Sequence, residues 1–113
     1  MSTITGIAQS GLDAASARLG VSAHNVANAL TPGFQPSRVT AAEVANGGVT
    51  SSVERVGNPA AEVRADRALL AASGTDLVSE VVAQSQAARL YQANLASLGT
   101  ADELFQAALK LKA

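Results

Sequence analysis

The chain has 113 residues, the size of one small domain, and its 8 basic and 9 acidic residues leave a net charge of −1. That balance lacks the basic stripe of a nucleic-acid binder. With no cysteine, disulfides, thiolate metal sites and cysteine nucleophiles are excluded.

Alanine supplies 25 residues, Leu 12 and Val 11, while Phe34, Tyr91 and Phe105 are the whole aromatic set. Such a chain cannot fill a core with rings, but its helices can approach one another closely. The longest uncharged stretch, residues 19–37, is interrupted by His24, Asn25, Asn28, Pro32, Gly33 and Pro36. A membrane span needs about 20 predominantly apolar residues, so direct membrane insertion is not expected. The first basic residue is Arg18, so no positively charged segment precedes an apolar run, and no cleaved signal peptide is expected.

Residues 2–30 are predicted to form a helix. Apolar or small residues recur at Ile4, Ala8, Leu12, Ala15, Leu19, Ala23, Val26 and Leu30, which is helical spacing. The helix must stop there, because Thr31 precedes Pro32 and is pushed out of the α region. Thr31-Pro32-Gly33-Phe34 matches a type II turn, with proline second and glycine supplying φ > 0 third.

Residues 31–74 differ in character. Asn46-Gly47-Gly48 is a turn signal between two β-prone runs, read as a hairpin over 38–44 and 49–56. Gly57-Asn58-Pro59 then breaks the chain. Residues 60–72 fit either a helix, capped by Asn58 with Pro59 at its first position, or a loose extended return.

Residues 75–112 are predicted to form the second long helix. Leu77, Val81, Gln84, Ala88, Tyr91, Leu95, Leu98, Asp102, Phe105 and Leu109 follow a coiled-coil-like spacing. Thr75 or Asp76 can cap its start, with Glu80 near the positive end of the helix dipole and Lys110 and Lys112 near the negative end. At about 1.5 Å per residue the two helices span roughly 43 and 57 Å. The expected fold is therefore mainly α: one domain over 1–113, an antiparallel pair of long terminal helices with a small β-hairpin and loop middle.

The informative feature is missing charge. Between residues 2 and 37 only Asp13 and Arg18 are charged, and between 81 and 101 only Arg89. A surface helix normally carries a charged face opposite its apolar stripe. Here the other faces carry Ala, Ser, Gln, Asn and Gly, so both helices are read as packed on more than one side. A two-helix hairpin lacks the partner surface for this, so other subunits are expected to supply it; the alternative is a soluble monomer with a weakly charged, Ala-rich surface. Arg89, alone in its stretch, reads as an inter-subunit ion-pairing residue or as a snorkelling side chain.

Catalytic signals are weak. Ser22 and His24 are two apart and do not face one another on a helix. Asp102 and Glu103 are adjacent carboxylates without the geometry of an acid–base pair. Asn46-Gly47-Gly48 lacks the lysine and following helix of a phosphate loop. No His, Asp or Glu cluster has metal-ligand spacing. No enzyme activity and no cofactor are expected.

Two segments carry a resemblance. Ser10-Gly11-Leu12, Arg18-Leu19 and residues 23–34, AHNVANALTPGF, resemble the N-terminal signature of flagellar rod and hook axial proteins, S-G-L…R-L…A-N-N-x-A-N-x-x-T-P-G-Y. Residues 75–80, TDLVSE, 88–94, ARLYQAN, and 100–105, TADELF, are similar to the family's C-terminal half. Length and the short middle lie nearest the short proximal-rod proteins of the FlgC type. His24, Ala88 and Phe34 depart from the family's usual Asn, Gln and Tyr.

The resemblance implies a structural role in the basal body. Such subunits pass through the flagellar type III export apparatus without a cleaved signal. They then assemble, with copies of themselves and other rod proteins, into a hollow shaft crossing the periplasm. It also implies mechanical jobs for the matching residues. Thr31, Pro32 and Gly33 redirect the chain, with Phe34 closing the turn, and Asn25 and Asn28 bond backbone near the helix end. Leu12, Leu19, Val26, Leu77, Val81, Tyr91, Asn94, Leu95, Leu98 and Phe105 pack the helices, and Arg89 bridges subunits. The rival reading is a standalone helical-hairpin binding module or a basal-body accessory protein.

Overall fold

A computed structural model of the protein describes residues 2–57 and 73–112. Residues 60–72, for which the sequence leaves two readings open, lie outside the described residues, as do Asn58 and Pro59. The elements run α1 (Ser2–Ala27), β1 (Ser37–Glu43), β2 (Val49–Arg55) and α2 (Leu77–Lys112).

Helix α1 closes at Ala27, three residues before the end read from periodicity. The reason is local. The Asn28 N–H is shared between the carbonyls of His24 and Asn25, at 3.2 Å each, and Ala29 N–H bonds the Val26 carbonyl at 3.1 Å. These i→i+3 bonds tighten the chain into turns, and the Asn28 side-chain amide takes the His24 carbonyl at 3.0 Å. The next turn follows at once. Phe34 N–H bonds the Thr31 carbonyl at 3.2 Å. Gly33 sits at φ +73°, as a type II turn requires.

Strands β1 and β2 pair antiparallel from Ser37↔Arg55 to Glu43↔Val49. Thr40 and Ser52 add a cross-strand hydroxyl pair at 2.8 Å. Most hairpin side chains are exposed, so a two-stranded ribbon of this kind needs support from elsewhere. Support comes at the tip, where Val49 N–H donates to the Ser10 hydroxyl at 3.1 Å. Gly47 and Gly48 lie at φ +86° and +90°. A Cβ at Gly47 would fall 2.8 Å from Ile7 Cδ1, and one at Gly48 2.6 Å from Ser10 Oγ. The two glycines therefore serve both the turn and the close seat on α1.

Helices α1 and α2 are antiparallel, since Gly11 lies against Asn94 and Ser22 against Glu80. Their seam is built from small residues. Ala8, Leu12, Ala14 and Ala15 of α1 are buried, as are Ala87 and Ala101 of α2. On α2 the inward column is Glu80, Ala87, Asn94 and Ala101, seven residues apart, with Leu98 and Gln84 partly buried beside it. The larger apolar column was expected to face α1. Instead Leu77, Val81, Tyr91, Leu95, Phe105 and Leu109 are exposed. Close approach explains the choice: Cβ-sized residues let the two backbones converge, whereas a seam of Leu and Phe would hold them apart. At Gly11 even a Cβ would overlap the Asn94 amide.

Candidate functional site

The most constrained region is a three-way junction where α1 ends, β1 begins and α2 starts. Asn25 is its hub, at 1% exposure. Its amide nitrogen donates to the Ser37 carbonyl and to Glu80 Oε1, each at 2.8 Å. Its carbonyl oxygen accepts the Ser37 N–H at 2.9 Å. One side chain thus satisfies both backbone groups of the first residue of β1 and a carboxylate of α2. Ser22, one turn earlier and also buried, donates to the Glu80 carbonyl at 3.1 Å. Asparagine suits the hub because its planar amide presents one acceptor and two donors.

Around the hub the turn residues brace one another. Thr31 donates to Asn28 Oδ1 at 3.3 Å, and its N–H bonds the Asn28 carbonyl at 2.9 Å. The His24 and Phe34 rings meet edge to face, with centroids 5.5 Å apart. Pro36 carbonyl accepts Val56 N–H at 2.9 Å, and Phe34 carbonyl accepts Gly74 N–H at 3.1 Å. The start of α2 is thereby drawn back to the turn. Asp76 caps that helix: Oδ1 accepts Val78 N–H at 3.1 Å and Oδ2 the Ser79 hydroxyl at 2.8 Å. The Ser79 hydroxyl foremost, then the backbone N–H groups of Val78 and Ser79, hold the Asp76 carboxyl below its ordinary range.

Of the residues singled out from sequence, the structure gathers Asn25, Asn28, Thr31, Gly33 and Phe34 at this junction, with Pro32 inside the turn. Asn94 bonds the Leu90 carbonyl at 2.8 Å and faces Gly11. Leu12 is buried in the seam, and Leu98 is partly buried. Leu19, Val26, Leu77, Val81, Tyr91, Leu95 and Phe105 stand exposed, outside the intramolecular seam. Arg89 is exposed as well. Nothing in the sequence assigns Ser22 or Glu80 a part in such a junction, and Ser37 is not singled out. Ser22 and Glu80 do fall on the heptad columns of Ala8–Ala15 and Ala87–Ala101, but polar residues there carry no hydrophobic signal.

Catalytic geometry is a different matter. Ser22 is committed to a backbone carbonyl rather than to His24. Among the described residues no three His, Asp or Glu side chains gather as a metal site, and no helix is long and apolar enough to cross a membrane. What the junction does is hold three elements at fixed angles.

A groove of about 800 Å³ opens further along the pair, lined by Thr5, Leu95, Leu98, Ala101 and Phe105. Here α2 runs past α1. With Gly11 opposite Asn94, Lys112 lies roughly 13 Å beyond the first residue of α1.

Two family models match the chain. The flagella basal body rod protein model covers residues 7–35, which hold most of α1, the turn and the hub. The flagellar basal body rod FlgEFG protein C-terminal model covers residues 68–111, which hold the junction's far side and nearly all of α2. Together they span well over half of the chain, in the order of the two helices. No curated protein matches it. The two matches fall on the two helices that the junction joins, and the role they carry is a structural one in the basal-body rod. The chain belongs to the flagellar basal body rod protein family.

Proposed function

We propose that this chain polymerises, through its two terminal helices, into the hollow axial shaft of the flagellar rod, alongside copies of itself and other rod subunits. The observation that carries this is the distribution of its large apolar side chains. Among the described residues Leu12 alone is buried, while nineteen others, from Ile4 to Leu111, are exposed. Exposed apolar surface that is contiguous along a helix marks an interaction site. Here it follows α2 from Leu77 to Leu109 and borders the Leu95–Phe105 groove. A junction that fixes the helix pair, with large side chains turned outward, suits a subunit that completes its core with neighbours. The hairpin, mostly exposed, faces away from that wall, and Arg89 meets a neighbouring subunit. Delivery is by the flagellar type III export apparatus. The short middle supports reading the subunit as one of the proximal-rod proteins.

The test is a pair of substitutions on the outward column, Leu95→Lys and Phe105→Lys. Each should leave the helical circular dichroism of the purified chain within error of wild type. In the native host each should remove the chain from isolated basal bodies and abolish swimming. A chain that sediments as a stable monomer, melts independently of concentration, and tolerates both lysines in swimming cells is a standalone binding module instead.

A further inference from the structure

We infer that Asn46 is a site of spontaneous covalent modification, deamidation through attack by the Gly47 nitrogen, and that the seat of the hairpin tip on α1 holds this reaction in check. This goes beyond the assembly proposed above and does not depend on it.

Asn46 and Gly47 are exposed in the turn between β1 and β2, with Gly48 partly buried behind them. Asparagine is a thermolabile residue. Its side-chain carbonyl carbon lies within reach of the next residue's backbone nitrogen, and glycine there puts no Cβ in the way. Asn46 is the one asparagine of the chain that glycine follows: Asn25, Asn28 and Asn94 precede Val26, Ala29 and Leu95, and Asn58 precedes Pro59, which has no N–H. In the reaction the Gly47 nitrogen gives its proton to hydroxide and bonds to Asn46 Cγ. The Cγ–Nδ2 bond breaks, and that nitrogen takes a proton from water and leaves as ammonia. Water then opens the five-membered imide. Opening at Cγ leaves aspartate. Opening at the backbone carbonyl leaves isoaspartate, in which the chain runs on through Cγ. One water is consumed, one ammonia is released, and nothing is oxidised or reduced.

The folded tip withholds the nucleophile. The Gly47 N–H is donated to the Val44 carbonyl at 2.8 Å, which commits both its proton and its direction. The turn is pinned in its place, because Val44 N–H bonds the Gly48 carbonyl at 3.1 Å and Val49 N–H the Ser10 hydroxyl at 3.1 Å. Gly47 lies so near α1 that a Cβ on it would fall 2.8 Å from Ile7 Cδ1. To swing its nitrogen onto Asn46 Cγ the tip must lift from α1, which is a local opening. Conversion to isoaspartate then blocks the return. It lengthens the backbone just before Gly47 by one carbon, about 1.5 Å. Ile7 and Ser10 leave no room there even for a methyl group. The modification therefore records that the tip has left α1, and keeps it off.

The test incubates the purified chain in mildly alkaline buffer and reads aspartate and isoaspartate at position 46 by peptide mass spectrometry, with enzymatic methylation of isoaspartate as a second readout. Conversion should be about tenfold slower in the folded chain than in the chain unfolded by urea. Ser10→Ala removes the tip's hydrogen bond to α1 and should speed conversion about fivefold with the helical circular dichroism unchanged. The isoaspartate chain, separated from the unconverted one, should exchange the Val49 N–H with deuterium about tenfold faster than wild type. Asn46→Asp, which adds the charge without lengthening the backbone, should exchange like wild type. No conversion at position 46 in urea, equal rates in the folded and unfolded chain, a Ser10→Ala rate no faster than wild type, or wild-type exchange in the isoaspartate chain would each overturn the inference.

Discussion

Asp76 sets where α2 begins, and its protonation should be visible in the helix. Its carboxylate accepts from Val78 N–H and the Ser79 hydroxyl, which lowers its pKa in the folded chain. A depressed folded pKa gives stability that is present above the unfolded value of about 3.9 and lost as pH falls through the folded one. Asp76→Ala should therefore melt at a lower temperature than wild type near neutral pH, and the gap should close in acid. Asp76→Asn, which caps without charge, should lose less than Asp76→Ala near neutral pH, and its gap to wild type should shrink in acid by the same amount, because neither variant carries the titrating group; a gap that widens in acid would contradict the sign. Gly33 is a second local determinant. Its φ is +73°, and a Cβ there would meet nothing within 4 Å, so the cost of a side chain is backbone strain alone. Gly33→Val should cost about 1–2 kcal/mol, and Gly33→Asn less, because asparagine tolerates the left-handed region. Equal losses in thermal unfolding would argue against that cause.

At the scale of elements, the fold depends on two contacts that join helix to helix and helix to hairpin. Asn25 bonds the backbone of Ser37 on both sides and the carboxylate of Glu80. Asn25→Ala strands three partly buried groups, so it should lower unfolding free energy by about 2 kcal/mol in urea titration. Asn25→Asp should be no rescue, since it loses both donors and sets a second carboxylate against Glu80. The other contact is steric. A Cβ at Gly11 overlaps the Asn94 amide, which itself holds the Leu90 carbonyl at 2.8 Å. Gly11→Ala gains about 1 kcal/mol of helix propensity but displaces that amide. Asn94→Ala should relieve the overlap, so the double variant should be more stable than the sum of the two single changes. Strict additivity would mean the helices had moved apart to accommodate the methyl group.

Taken whole, the molecule is a rigid joint with little interior. Among the described residues the buried side chains are chiefly alanines, and the large apolar side chains other than Leu12 face out. Surface substitutions normally shift stability by less than about 0.5 kcal/mol. Leu95→Lys and Phe105→Lys should therefore be silent in the isolated chain and severe in the cell. That contrast separates a subunit whose core lies between molecules from a hairpin whose core lies within one. The missing charge in the sequence points the same way: only Asp13 and Arg18 are charged over residues 2–37, and only Arg89 over 81–101.

Local chemistry in the sequence determined the helices, the Thr31–Phe34 turn and the hairpin tip. Proline, glycine and helical periodicity act over a few residues and report directly on backbone conformation. The motifs at both ends likewise determined the family. Tertiary packing alone decided which face of α2 meets α1, since heptad spacing places two columns of plausible seam residues side by side. Closest approach of the backbones selected Ala87 and Ala101 over Leu95 and Phe105. Tertiary packing also decided that Ser22, Ser37 and Glu80 converge on Asn25, because hydrogen bonds between residues 12 to 58 positions apart leave no periodic trace in the chain.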